Sequence, residues 1–204
     1  IPVLITEQKD LIGLAQTGTG KTAAFGLPMI QRIDVKKNIV QGLVIAPTRE
    51  LCVQISNDFK AFSKFIKGLS VATIYGGASM DKQAKEIRSG AQIVVATPGR
   101  LMDMMKRRMI KINRVSYVVL DEADEMLNMG FKEDIDGILE HTPTEKLTWL
   151  FSATMPKEVA KISKSYMSNP LEITVGHKNV GAENIQHVYY CLLYTSPSPR
   201  DKCR

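Results

Sequence analysis

Cysteine is scarce in this chain, with three residues in 204. Two of them, Cys191 and Cys203, belong to a C-terminal string that breaks the preceding pattern: Cys191-Leu192-Leu193-Tyr194-Thr195-Ser196-Pro197-Ser198-Pro199-Arg200-Asp201. That string resembles a translated sequencing-library adapter, so residues 191–204 are set apart from the fold as an artefact tail. A Pro/Ser linker is the alternative reading. Cys52 is then the one thiol, in a helical pattern that suits a small buried residue. A lone thiol argues against a disulfide framework and suits a reducing cytoplasm, the expected location.

Other absences narrow the field further. No apolar run is long enough to span a bilayer and no secretory signal opens the chain at Ile1-Pro2, so no membrane partner is expected. His141, His177 and His187 lie far apart and form no metal-ligand set. Composition is ordinary for a globular protein, short internal repeats are missing, and the length fits one α/β domain. The formal charge is +6, and without the tail 24 basic and 20 acidic side chains leave +4. So mild an excess suits a polyanion without requiring one.

Short apolar runs alternate with amphipathic stretches. Strands are expected at Asp10–Ala15, Gly42–Ala46, Leu69–Ile74, Ala91–Ala96, Val115–Leu120, Lys146–Ser152 and Leu171–Thr174. Helical periodicity marks Lys21–Ile33, Arg49–Phe65, Ser79–Arg88, Gly99–Lys106, Lys132–Leu139 and Pro156–Tyr166. Runs such as Ile93-Val94-Val95 are apolar at successive positions, the pattern of strands covered on both faces. The alternation implies an α/β fold with a mostly parallel sheet and helices on both faces. Ligands of such sheets bind beyond the strands' carboxyl ends. Six polar or glycine-rich clusters fall there: Gln16 to Thr22, Pro47 to Glu50, Gly76-Gly77, Thr97 to Arg100, Asp121 to Asp124, and Ser152 to Thr154.

Two clusters carry explicit chemistry. Val118-Val119-Leu120 reads as a buried strand that ends in Asp121-Glu122-Ala123-Asp124. Buried anions are costly unless a cation neutralises them, and a phosphate-bound magnesium would do so. Upstream, Ala15-Gln16-Thr17-Gly18-Thr19-Gly20-Lys21-Thr22 has the character of a phosphate-cradling loop. Gly18 and Gly20 permit the tight turn, Lys21 would reach the β- and γ-phosphates, and the Thr22 hydroxyl would ligate magnesium. Ala15 stands where the general pattern has glycine. Asp121 would hold the metal, Glu122 would orient and deprotonate water, and Asp124 would pair with polar groups on the next strand. Taken alone, the acidic run equally suits an exposed helix N-terminus. With the loop upstream it implies a magnesium-dependent nucleotide triphosphatase.

Together these residues resemble the first RecA-like, P-loop NTPase domain of the DEAD-box RNA helicases of superfamily 2. The motifs occur in family order: Ala15–Thr22, Pro47-Thr48-Arg49-Glu50-Leu51, Gly76-Gly77, Thr97-Pro98-Gly99-Arg100, Asp121–Asp124 and Ser152-Ala153-Thr154. The phrasing Leu14–Phe25 has a bacterial character. The resemblance implies that Pro47, Thr48, Arg49, Gly76, Gly77, Thr97, Pro98, Gly99 and Arg100 grip single-stranded or locally duplex RNA through its phosphates and sugars. From the residues alone, Arg49 and Arg100 read as surface residues at helix starts. It further implies that Ser152 and Thr154 link the ATP and RNA sites through Asp124.

Residues 1–176 are expected to form this domain, lacking the family's adenine-reading motif before Ile1, and 177–190 to begin an interdomain linker. The resemblance also implies a second RecA-like domain, absent here, whose arginine fingers are worth ~10³–10⁵ in rate in related phosphoryl transfer. The chain alone is therefore expected to be weak or inactive. An ATP-gated RNA clamp and a DNA-directed superfamily 2 motor are the alternatives. Lys106-Arg107-Arg108 reads as the solvated end of a helix, and Met102, Met104, Met105, Met126 and Met129 as core filler or helix cover.

Overall fold

The computed structural model describes residues 1, 4, 7–16 and 18–175; Thr17, most of the first six positions, the expected linker and the tail lie outside the described residues. Seven strands alternate with helices. The strands are β1 Leu11–Leu14, β2 Gly42–Ile45, β3 Val71–Ile74, β4 Ile93–Ala96, β5 Tyr117–Leu120, β6 Leu147–Ser152 and β7 Leu171–Thr174. The helices are α1 Lys21–Arg32, α2 Arg49–Phe62, α3 Met80–Arg88, α4 Pro98–Lys106, α5 Ala123–Asn128, α6 Lys132–Glu140 and α7 Lys157–Tyr166. The sheet order is β3-β4-β2-β5-β6-β1-β7, and every pairing is parallel.

Successive strand residues feed opposite faces, as their uninterrupted apolar runs require. In β2, Leu43 and Ile45 join the core under α3–α7, whereas Val44, and Ala46 just past the strand, join the core under α1 and α2. Cys52 lies fully buried in the second of these, and burial pushes its thiol up to about 12, which leaves it inert. Met104 and Met126 fill the first core, and Met129 is exposed.

Element ends differ from the sequence expectation for local reasons. Helix α2 stops at Phe62, because the Ser63 hydroxyl donates back to Phe59 O at 2.7 Å. Helix α4 starts at Pro98, since proline at a first helical position has no N–H to leave unpaired. Helix α5 was not expected; its six residues place Asp124 and Glu125 in the first turn, where carboxylates favour a helix.

One glycine sets how closely a strand meets its neighbour. A Cβ on Gly13 would lie 2.7 Å from ring carbons of Phe151, itself 4 % exposed. Gly13→Ala is expected to cost about 1–3 kcal/mol by forcing that ring from its rotamer. At about 2–4 °C per kcal/mol, thermal unfolding should show a drop of several degrees. An unchanged midpoint would mean that Phe151 has room to move.

Candidate functional site

Parallel strands bring all their carboxyl ends to one edge. Read across the sheet, β3 leads into Gly76-Gly77, β4 into Thr97–Arg100, and β2 into Pro47–Arg49. Next to them, β5 leads into Asp121–Asp124, β6 into Ser152–Thr154, and β1 into Gln16–Thr22. Space therefore sorts what sequence order interleaves. The phosphate loop and the acidic run lie on one half, with the glycine pair and both arginines on the other.

The phosphate half is held from two strands. Gly18 and Gly20 adopt φ of 79° and 82°, the left-handed region that favours glycine. Nothing lies within 4 Å of a Cβ at either, so conformation and not space demands glycine there. The Thr19 hydroxyl donates to Gln16 O at 2.8 Å and closes the turn. Gly20 caps α1, with Lys21 and half-buried Thr22 as its first two residues. Lys21 is 9 % exposed; its Nζ donates to Ala15 O at 3.1 Å and stands 4.0 Å from Asp121 Oδ1. An apolar cavity of about 210 Å³ adjoins this loop, lined by Leu11, Gly13, Ala15 and Phe151 beside Thr19 and Lys21.

Asp121 is 3 % exposed. Burial pushes its carboxyl up to about 6; Lys21 pulls the other way, and the charges of Glu122 and Asp124 add to the rise. Its Oδ1 accepts from Glu122 N at 3.0 Å. Glu122 itself has φ 53° and ψ 51°, a left-handed conformation that costs an L-residue roughly 1–2 kcal/mol. Such strain concentrates at functional positions. Among the described residues, its carboxylate accepts no hydrogen bond, which leaves it able to take a proton from a bound water.

Asp124 leaves the phosphate half for β6. Its Oδ2 accepts from Thr154 Oγ1 at 2.7 Å and from Thr154 N at 2.9 Å, while its own N–H donates to Ser152 Oγ at 3.3 Å. Burial opposes ionisation of this carboxyl, but the hydrogen bonds from Thr154 and Ser152 outweigh it and hold the group below its ordinary range.

On the other half, the Arg49 guanidinium stacks over the Tyr75 ring, 4.8 Å from its centroid, and stays exposed. Thr48 Oγ1 accepts from Leu51 N at 3.2 Å and caps α2. Gly76 and Gly77 are both exposed and carry nothing within 4 Å of an added Cβ, and Gly77 has φ 80°, so no neighbouring side chain covers this turn. Arg100 Nη1 donates to Ala78 O at 2.9 Å and to Gln83 Oε1 at 3.3 Å, bracing from α4 the loop that follows β3. It is thus no free surface residue. Pro47 and Pro98 are buried and set chain direction, and Thr97 and Gly99 lie half-buried beside them. Sequence reasoning missed Tyr75 and Gln83. Tyr75 stood visibly before the glycine pair, but nothing marked Gln83 within α3.

Among the described residues no group of three His, Cys, Asp or Glu could cage a metal. The Asp121 carboxylate and the Thr22 hydroxyl supply only two ligating groups. That donor set fits magnesium, which takes few protein ligands and completes its shell with phosphate and water. A cavity of about 610 Å³ around Asp10, Lys146 and Tyr166 lies away from this edge and holds none of the clusters.

Residues 1–162 match the family model described as DEAD/DEAH box helicase. The chain is 48% identical over 189 residues to the ATP-dependent RNA helicase DeaD of Mycobacterium tuberculosis, covering 93% of this chain and 33% of that one. It is 50% identical over 183 residues to the ATP-dependent RNA helicase CshA of Listeria monocytogenes, covering 90% and 35%. Among solved structures it resembles a DEAD box protein from the hyperthermophile Methanococcus jannaschii, with a TM-score of 0.81 and 39% identity over 85% of this chain and 47% of that one. The chain thus spans about a third of the length of these curated relatives.

Proposed function

The chain belongs to the DEAD/DEAH box helicase family, and on that premise we propose that it is the ATP-binding first half of an ATP-dependent RNA helicase. One observation carries the proposal: the Asp124–Thr154 hydrogen bonds tie the acidic run to β6 on an edge that presents phosphate-loop and arginine–glycine halves side by side.

On this reading Gln16 to Gly20 and the first amides of α1 wrap the β- and γ-phosphates of ATP. Lys21 Nζ, parked on Ala15 O, exchanges that carbonyl for phosphate oxygens. Thr22 and Asp121 would hold magnesium, which neutralises phosphate charge when bound. Glu122 takes the proton of the water that attacks the γ-phosphorus; the bond to the bridging oxygen breaks and ADP departs. Thr48, Arg49, Gly76, Gly77, Thr97, Gly99 and Arg100 hold RNA phosphates and sugars without reading bases, with Pro47 and Pro98 fixing their approach. Ser152 and Thr154 report the state of one half to the other through Asp124. Residues 1–176 form this domain and 177–190 lead to a second RecA-like domain that supplies the arginine fingers; 191–204 are an artefact tail. The 204-residue chain by itself then binds ATP weakly and turns it over poorly. Among the described residues no helix is long and apolar enough to cross a membrane, and a cytoplasmic setting fits Cys52, the one thiol among those residues, which is buried and inert.

The test is ATP hydrolysis by the full-length protein with RNA or with DNA of the same sequence. Stimulation by RNA alone, with ATP-dependent separation of a short duplex, is the expected result. Equal stimulation by DNA would point to a DNA-directed motor. RNA binding gated by ATP without turnover would point to a clamp.

A further inference from the structure

At the amino-terminal ends of β2, β4 and β5, opposite the edge described above, lies a cavity of about 550 Å³. Arg88, Arg108, Lys111 and Arg114 line it, all exposed, and no carboxylate does. None of the four enters an ion pair among the described residues. Its floor is core, including Val40 and Ile110, and no aromatic ring is present on which a base could stack.

The backbone at Arg108 singles this place out. Helix α4 closes with Met109 N donating to Met104 O and Arg108 N to Met105 O, which puts Arg108 at φ 56°. That closing position favours glycine. Helix α5 closes by the same bonds, Phe131 N to Met126 O and Gly130 N to Leu127 O, and there the residue is Gly130, at φ 84°. A cation thus stands where the chain elsewhere uses glycine, at a cost in backbone energy and on the rim of the cavity. In sequence Lys106-Arg107-Arg108 reads only as a solvated helix end; the fold adds Arg88, Lys111 and Arg114 to it.

We propose that this basic cavity is a second, sequence-independent site for the RNA sugar–phosphate backbone. The inference rests on the reading of the opposite edge as an RNA site. Four unpaired cations with no stacking surface suit phosphates and not bases. The strands between the two edges are only four residues long, ~13 Å, so an RNA long enough to pass around the helices that cover the sheet would meet the second site after the first. An acidic protein segment would satisfy the same charge, but RNA is the one polyanion already proposed for this half of the sheet.

The experiment compares two RNAs on the full-length protein: an eight-nucleotide single strand, and a hairpin bearing the same strand as a tail. Arg108→Gln, Lys111→Gln and Arg114→Gln together should weaken hairpin binding ~10- to 100-fold and lower the slope of log K against log salt by about 2–3. Arg108→Gly should weaken hairpin binding while raising the unfolding temperature, a split that a merely structural residue would not give. Hairpin affinity and salt slope unchanged in both variants would overturn the proposal, including the case where the cavity takes an acidic peptide instead. Binding of the eight-nucleotide strand reads the first site and the hairpin's response to substitution reads the second, so the two readings fail separately.

Discussion

Glu122→Gln in the full-length protein should retain ATP and lose turnover by ~10²–10⁴-fold, the worth of a positioned general base. Glutamine keeps the size and polarity of the side chain, and a polar residue of that kind tolerates φ 53° no worse than glutamate does. The fold should therefore survive. What disappears is the acceptor for the water's proton, since among the described residues no hydrogen bond occupies this carboxylate beforehand. ATP affinity measured beside single-turnover hydrolysis separates the two effects. Hydrolysis at the original rate would remove Glu122 from the reaction, and loss of ATP binding would make it a structural residue of the loop.

Asp121→Asn should move stability and activity in opposite directions. In the nucleotide-free fold the Asp121 carboxyl titrates at about 6, against an ordinary value of 3.8. Between those pH values the folded protein keeps a proton that the unfolded chain releases, so stability falls as pH rises through the window. Above pH 6 the penalty is complete, on the order of 2–3 kcal/mol from the displacement. Asparagine removes it, although Lys21 then loses its one ion-pair partner among the described residues and returns part of the gain. A rise of about 2–6 °C in unfolding temperature is expected at pH 7.5 without nucleotide, shrinking to nothing near pH 4. Hydrolysis should fall ~10²–10³-fold, the rate equivalent of several kcal/mol of lost metal stabilisation. If Asp121 holds magnesium as proposed, protons compete for that position below pH 6, and Mg-ATP affinity of the unaltered protein should drop up to about tenfold per pH unit there. A variant less stable at every pH would show that Asp121 serves the fold through Lys21.

The central strands were legible because runs such as Leu43–Ala46, Ile93–Ala96 and Val118–Leu120 are unbroken apolar stretches bounded by polar, proline or glycine residues; Val118–Leu120 followed by Asp121 is the clearest case. The same punctuation exposed the phosphate loop, where Gly18 and Gly20 sit at positive φ, as the turn demands. Sheet order was not legible. Nothing in sequence says that β2 lies between β4 and β5, and that placement is what separates arginines from carboxylates. Side-chain ties between distant segments were equally hidden. Arg100 looked like a helix-start surface residue, but its guanidinium reaches Ala78 and Gln83 across two elements. Helix α5 escaped notice because six residues show too little periodicity. The left-handed backbone of Glu122 left no compositional mark, since the residue is neither glycine nor asparagine. The partnership of Asp124 with the residues after β6 was anticipated in kind, but the double acceptance by one oxygen from Thr154 is a detail of the fold.

That partnership carries the proposed function, in which it is the contact through which RNA on one half is felt by ATP on the other. The decisive measurement is a double-mutant cycle on RNA-stimulated ATP hydrolysis in the full-length protein, using Asp124→Asn, Thr154→Val and both together. The account predicts that either substitution removes most of the stimulation by RNA and that the pair is no worse than one alone, a coupling of about 1.5–3 kcal/mol for hydrogen bonds to a charged group. Independent, additive losses would contradict it, since Asp124 and Thr154 would then act separately and the two halves would communicate by another path.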